Sequence, residues 1–431
     1  MGLLTSSPLP RWYNPSVPHA ISLRAMRPAG GGTVSLWLDE PYEPRPPLRG
    51  DLHLPVAVVG GGITGISVAY WLSRSGVSCC VLERDVVAGG ATGRNGGFVQ
   101  EGTTPGYADL IARFSRSEAQ ALWTFTVENR ERLLQTCAEE GIEAEVDPCG
   151  TVALASDRQE LEELAREAAL LSEDGFPVRL LEAEEVAERL GGRPGFAGGM
   201  YNPRDIGIHP VRFTRGLAAV GERRGVRIFE RTPVLGIERA GTGWKAVTPA
   251  GTVQADRLVL ALDAYTENLE APWARWIRAV RGQVLATAPL PRRLFAHLFY
   301  ANDGLEYWRQ TPSGRVVLGG LRRLYAQEEV GTEDRLHPGI QGALEAYLRA
   351  LGVPPPLPVT HRWSGAIGVS RDHLPLIGPV PGEPGLLLAA GYTGQGLAFA
   401  FLAGRMIAEL LVKGSTQYPQ ALFPGRLSRG T

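Results

Sequence analysis

The sequence predicts an α/β protein in which a parallel sheet and an antiparallel sheet share one discontinuous chain. Three observations carry that expectation. Residues 56–85, "VAVVGGGITGISVAYWLSRSGVSCCVLERD", read as strand, turn, helix and strand, and two strands joined by a crossover helix pair in parallel. Between Val226 and Leu262 come the short alternating runs "VRIFE", "VLGIERA", "WKAVTPAG" and "ADRLVLAL", separated by the turn signals "GTG" and "PAG", the pattern of an antiparallel meander. A second set of strand-like runs, "GQVLATA", "EYWRQT" and "RVVLGG", follows within residues 282–320.

The elements follow in order. Val56–Val59 is a short apolar run that breaks at Gly60, and Ile63, Ile66, Val68, Ala69 and Leu72 then recur at helical spacing. Val77–Leu82 is a second apolar run, closed by Glu83. Helical periodicity returns at Glu118–Glu140, Asp157–Ser172, Glu182–Leu190 and Val211–Arg224, and a last helix over Gln395–Val412 begins after the cluster "GYTGQG". Residues 1–49, rich in Pro, Gly and Arg, read as a loose lead-in, with Met26 as an alternative start.

At 431 residues the chain exceeds one ordinary core. With 44% hydrophobic and 21% charged residues it has the composition of a folded, soluble protein. A net charge of -1 without long like-charge runs argues against nucleic acid or an acidic membrane surface. No window approaches the roughly 18 apolar residues of a membrane span. Cys79, Cys80, Cys137 and Cys149 form no C-x-x-C pair and join no histidine at metal-ligand spacing, so no metal site is expected and a cytoplasmic location fits best. Only Lys245 and Lys413 are lysines.

Gly60, Gly62 and Gly65 fit G-x-G-x-x-G between a strand and a helix. The first glycine permits the tight turn, the second lets backbone approach a pyrophosphate, and the third allows close helix-to-strand packing. The helix N-terminus adds free N–H groups and partial positive charge. Glu83 stands where a carboxylate meets a ribose hydroxyl, which disfavours NADP. Two further glycine-dense segments favour FAD over NAD: "GGATGRNGGFV" (Gly89–Val99), and "GYTGQG" with the helix after it. Together they suit a long ligand approached by backbone from distant parts of the chain.

These residues, with "GATGRNGG" (Gly90–Gly97), "HPVRFTRGLA" (His209–Ala218), "RGQVLAT" (Arg281–Thr287), "YWRQTPSGRVVLGG" (Tyr307–Gly320) and "DHLPLIGPV" (Asp372–Val380), carry a resemblance from about Leu48 to Lys413. The chain resembles the FAD-dependent D-amino-acid oxidase, glycine oxidase and sarcosine oxidase superfamily, with particular likeness to its bacterial gamma-glutamylputrescine oxidase branch. The resemblance implies a Rossmann-type FAD-binding domain built from residues 50–145, 205–268 and 366–415. A discontinuous α+β substrate domain on an antiparallel sheet would take 146–204 and 269–365, leaving 416–431 as a tail.

It further implies that Gly60, Gly61, Gly62, Ile63, Thr64, Gly65, Glu83 and Arg84 hold the ADP half of FAD, with the Val234 backbone on the adenine. Ala91, Thr92, Arg94, Asn95, Gly96 and Gly97 would line the pyrophosphate and flavin ring, and Gly394, Gln395, Gly396 and Leu397 would bring a helix N-terminus to the pyrimidine end. The implied chemistry is hydride removal from a carbon beside an amine, with oxygen or another acceptor reoxidising the flavin.

Two departures narrow the substrate. Amino-acid-oxidising members hold the substrate carboxylate with an arginine in W-x-G-x-R-P; here "WSGAIGVSRDHLPLIG" puts Ile367 at that position, so amines are favoured over simple amino acids. Arg309 or Arg371 could compensate, which keeps a D-amino-acid, glycine or sarcosine oxidase or dehydrogenase as the alternative. Sarcosine-oxidising members attach FAD through a cysteine where this chain has Gly365, so non-covalent FAD is expected. Tyr307 and Arg309 share one face of a strand and, with His373, are the catalytic candidates; His209 reads as a helix cap. A non-catalytic FAD-binding subunit or sensor is the reading from another class.

Overall fold

The computed structural model describes residues 20–22 and 34–430, except positions 194, 303 and 357; Met26 and most of the expected lead-in lie outside them. Leu52–Val59 leads into the turn at Gly60, where φ is +109°, and the helix Ile63–Arg74 returns the chain to Cys79–Leu82, paired in parallel with Val56–Val59. Arg227–Phe229, Gly251–Leu260 and Leu386–Ala390 extend this parallel core. Only Gly236–Ala240, Gly243–Thr248 and the start of Gly251–Leu260 form the antiparallel meander. The run at Val226 belongs to the parallel sheet instead, because it follows the crossover helix Pro210–Arg223.

The second sheet has the order 359–370, 277–287, 316–320, 306–310, 298–301, 151–155, 198–202, 179–182. It is antiparallel throughout except where Leu298–Ala301 runs parallel to Thr151–Ala155. Val359–Ser370 pairs with Ile277–Thr287 along nearly its whole length, so a boundary drawn at residue 366 cuts a continuous strand. One face of this sheet carries Leu285, Phe299, Trp308 and Leu318, packed under Ile340, Leu344 and Leu348 of the helix Pro338–Ala350. The other, with Tyr307, Val317 and Trp363, meets the first domain's core.

Helix Ile63–Arg74 packs so closely on the last helix, Gly396–Lys413, that a Cβ on Gly404 would strike the Ser67 backbone. The long helix Arg116–Glu140 joins through Asn129, whose amide donates to Leu397 O at 2.9 Å and accepts from Leu402 N–H at 2.9 Å. Within the expected lead-in, residues 34–49 are packed rather than loose. Trp37 is 1% exposed and Leu48 is buried, because Tyr42 and the Arg45 N–H both bond the buried Glu230 carboxylate. No helix among the described residues is long and apolar enough to cross a membrane.

Candidate functional site

The site grows from the ends of the parallel strands. A Cβ on Gly65 would overlap the Gly60 carbonyl oxygen, and one on Gly60 would overlap that of Ala261, so both positions exclude larger residues. Gly62 differs: an added Cβ would meet only Thr92 Oγ1, at 3.1 Å, which leaves its backbone open to a ligand. The Ile63 N–H donates to Thr92 Oγ1 at 2.9 Å, while the Thr64 and Gly65 amides have no carbonyl of their own helix to bond. Glu83 is buried and organises the turn, its Oε2 accepting from Gly61 N–H at 2.6 Å and its Oε1 from Asp85 N–H at 2.8 Å. Burial pushes its carboxyl above the usual range, against the pull of those N–H groups. The Thr232 N–H donates to Glu83 O at 2.8 Å, and Val234, two residues further on, is buried. Arg84 is exposed and stacks 4.1 Å over Tyr265.

The loop 89–97 is shaped by its own side chains. Asn95 Nδ2 donates to the carbonyls of Ala91 (3.1 Å) and Thr92 (2.9 Å), and its Oδ1 accepts from Gly97 N–H at 2.8 Å. The Arg94 side chain turns away, pairing with Asp334 at 2.8 Å and donating to Ser364 O at 3.1 Å, while Trp363 Nε1 donates to Arg94 O at 3.0 Å. Across the site, Thr64 Oγ1 donates to the Tyr392 hydroxyl at 3.1 Å, joining the first helix to the turn that begins the last one. Gly394, at φ +90°, would meet nothing within 4 Å if given a Cβ. The two helix N-termini, the open glycines and the buried Glu83 form a cradle that fits an extended dinucleotide.

Sequence reasoning missed Asp263. This half-buried residue follows the strand Gly251–Leu260, and its carboxylate accepts from Gly368 N–H (3.1 Å), Gly391 N–H (3.0 Å) and Tyr392 N–H (3.2 Å). It thereby ties the second sheet to the turn before the last helix. An acidic residue in "ALDAYTE", just beyond a strand end, was the available signal.

The three catalytic candidates separate. Tyr307 keeps accessible surface, packs edge-on to Phe98 at 5.7 Å, and burial pushes its phenol up to about 12. Ile367 also keeps accessible surface, beside Gly282 on the facing strand. Arg309 is 1% exposed. Its Nη1 donates to Gly97 O at 2.6 Å and Ile208 O at 3.2 Å, so it braces the loop from behind and lacks the surface a substrate contact needs. His373 is exposed, on a left-handed turn (φ +65°). His209 caps its helix, accepting from Arg212 N–H at 3.2 Å, and burial lowers its imidazole to about 4, leaving it neutral.

The family described as FAD dependent oxidoreductase matches residues 55–410. Glycine oxidase of Geobacillus kaustophilus is 28% identical, over 85% of this chain and 95% of that protein. Gamma-glutamylputrescine oxidoreductase of Escherichia coli is 26% identical, over 89% and 91%. Among solved structures, glycine oxidase from Geobacillus kaustophilus superposes with a TM-score of 0.72 at 23% identity, covering 86% of this chain and 98% of the other. L-proline dehydrogenase from P. horikoshii gives 0.73 at 21% identity, covering 89% and 99%. The glycine turn and a family match spanning most of the length agree: the chain belongs to the DAO family of FAD-dependent oxidoreductases.

Proposed function

We propose that the chain oxidises an amine with no carboxylate on the carbon that loses the hydride, of the gamma-glutamyl-polyamine type, to an imine that hydrolyses to a carbonyl, using non-covalently bound FAD. The observation that carries this reading is Ile367, an accessible aliphatic side chain beside Gly282 where amino-acid-oxidising relatives would hold a carboxylate. Arg309 does not compensate, since it is sealed behind Gly97. The alternative, a D-amino-acid, glycine or sarcosine oxidase or dehydrogenase, is favoured only by the relatives' names.

FAD supplies the hydride acceptor when bound. The first helix and Glu83 would hold its ADP half; Ala91–Gly97 and Gly394–Leu397 would hold the flavin end, with positive helix-end potential near the pyrimidine ring. Phe98, Tyr307 and Ile367 would exclude water and hold the donor carbon against the ring. With a protonated phenol and no ionised group in that trio, an amine enters neutral and no side chain need act as base. Gly365 offers no thiol for attachment, and its neighbour is Arg94. The four free cysteines are compatible with a cytoplasmic enzyme.

Anaerobic flavin bleaching with gamma-glutamyl amines, polyamines, N-methyl amino acids, glycine and D-amino acids tests the reading. Fast bleaching by gamma-glutamyl amines supports it. Faster bleaching by glycine or D-alanine overturns the role given to Ile367, and a flavin that no amine bleaches overturns the enzymatic reading in favour of a sensor or non-catalytic subunit.

A further inference from the structure

The packed segment 34–49 does more than cover the first domain. Ser35 Oγ donates to Gly93 O, and Trp37 Nε1 donates to Asn95 O at 2.6 Å. The Leu38 side chain stands so close to Gly93 that a Cβ there would come within 3.0 Å of it. Two alternate carbonyls of the flavin-binding loop are thus held by side chains from one strap. The Trp37 ring also meets His209 edge-on at 5.1 Å, the Arg309 guanidinium at 5.7 Å, and Gly97, where an added Cβ would lie 3.5 Å from the indole.

A trans peptide points its N–H opposite to its C=O. With the Asn95 carbonyl drawn onto the indole, the Gly96 N–H is turned to the loop's opposite side. Asn95 cannot move to compensate, because its side chain is already bonded to the Ala91 and Thr92 carbonyls and the Gly97 N–H. Arg309, whose guanidinium lies 5.7 Å from the Trp37 ring, holds the carbonyl two residues on, Gly97 O. The carbonyls on either side of Gly96, those of Asn95 and Gly97, are therefore both held by the protein, and Gly96 N–H remains as a donor where an added Cβ would crowd Tyr307 and Phe98.

We propose that Trp37 is a positioning residue for the cofactor: its indole N–H fixes the Asn95–Gly96 peptide so that Gly96 N–H is presented to a flavin acceptor atom. The inference rests on the family's use of FAD and not on the identity of the substrate. A donor fixed in advance costs no reorganisation when the flavin gains electrons, so the strap acts on cofactor affinity and on the reduced flavin together.

The test uses Trp37→Phe, which keeps a ring against His209 and Gly97 but removes the donor, with Leu38→Ala as a strap variant that leaves the donor in place. Apoprotein titrated with FAD, the flavin's visible spectrum, its reduction potential and the melting temperature of the apoprotein are read for each. Trp37→Phe should bind FAD about ten-fold more weakly, the loss of one buried hydrogen bond, with a shifted flavin spectrum, a lower potential and an apoprotein melting temperature lowered by no more than about 2 °C. Leu38→Ala should leave the spectrum and potential at wild-type values. Wild-type FAD affinity, spectrum and potential in Trp37→Phe overturn the proposal. So does a fall in apoprotein melting temperature that accounts for the whole loss of FAD, or an equal spectral change in Leu38→Ala. None of these readouts needs turnover, so they stand whichever amine is the substrate.

Discussion

Replacing Glu83 separates the ligand-holding role of this carboxylate from its structural one. Both of its oxygens accept from backbone N–H groups, Gly61 at 2.6 Å and Asp85 at 2.8 Å. Glutamine has one acceptor atom, so Glu83→Gln must give up one of these bonds. The oxygen will stay on Gly61, which is buried, because the exposed Asp85 can hydrate its own N–H. That costs about 1 kcal/mol, the net worth of one hydrogen bond. Glu83→Ala strands the buried Gly61 N–H outright and costs about 1–3 kcal/mol. In a chain of this size each kcal/mol corresponds to roughly 1–2 °C in melting temperature. Scanning calorimetry on the apoproteins should place the order at wild type, then Gln, then Ala, within about 6 °C in all. FAD affinity should fall more steeply, since Gly61 opens the glycine turn and the proposed site has this carboxylate meeting the ribose. If Glu83→Ala apoprotein melts with wild type and binds FAD equally well, the account of how this turn is built is wrong.

Three other outcomes follow from the same geometry. Gly65→Ala forces a methyl against the Gly60 carbonyl, backbone against backbone, and should yield protein whose absorbance ratio at the flavin band shows little or no bound FAD. Asp205, buried beside Glu101, has its carboxyl raised from 3.8 to about 8, first by burial and then by Glu101. The folded chain therefore keeps a proton the unfolded chain releases near pH 4, and the stability this confers is full below that point and lost as pH rises toward 8. Melting temperatures from pH 5 to 8 should fall less in Asp205→Asn than in wild type; identical slopes would refute the shift. Ile367→Arg should lower the KM for glycine or D-alanine at least ten-fold in steady-state assays, and an unchanged preference would move the substrate carboxylate elsewhere.

Much of this was legible in the sequence because the phosphate turn is local. Gly60, Gly62, Gly65 and Glu83 lie within one strand-helix-strand unit whose periodicity marks its own geometry. The bounds of Arg116–Glu140 and Gly396–Lys413 likewise follow from uninterrupted helical spacing. What escaped was non-local or locally contradictory. The helix Pro338–Ala350 is interrupted by Gly339 and Gly342, whose low helix propensity hides a face that the second sheet rewards. Asp263 looks like a turn residue until the strands bearing Gly368 and Gly391 are brought to it. Arg309 shares a face with Tyr307 as the strand period requires, yet period says nothing of depth. Trp37 sits in a stretch with no periodic pattern, so only the tertiary contact gives it meaning.

The position of Asp263 also bears on how the protein is made. Its carboxylate gathers amides from Gly368, Gly391 and Tyr392, and the strand Leu386–Ala390 can enter the parallel sheet only against Gly251–Leu260. During synthesis the phosphate turn emerges early, but the flavin end waits for residues more than 300 positions later in the chain. A site built as proposed could not enclose the whole of FAD until that later segment has been made and has folded against the first.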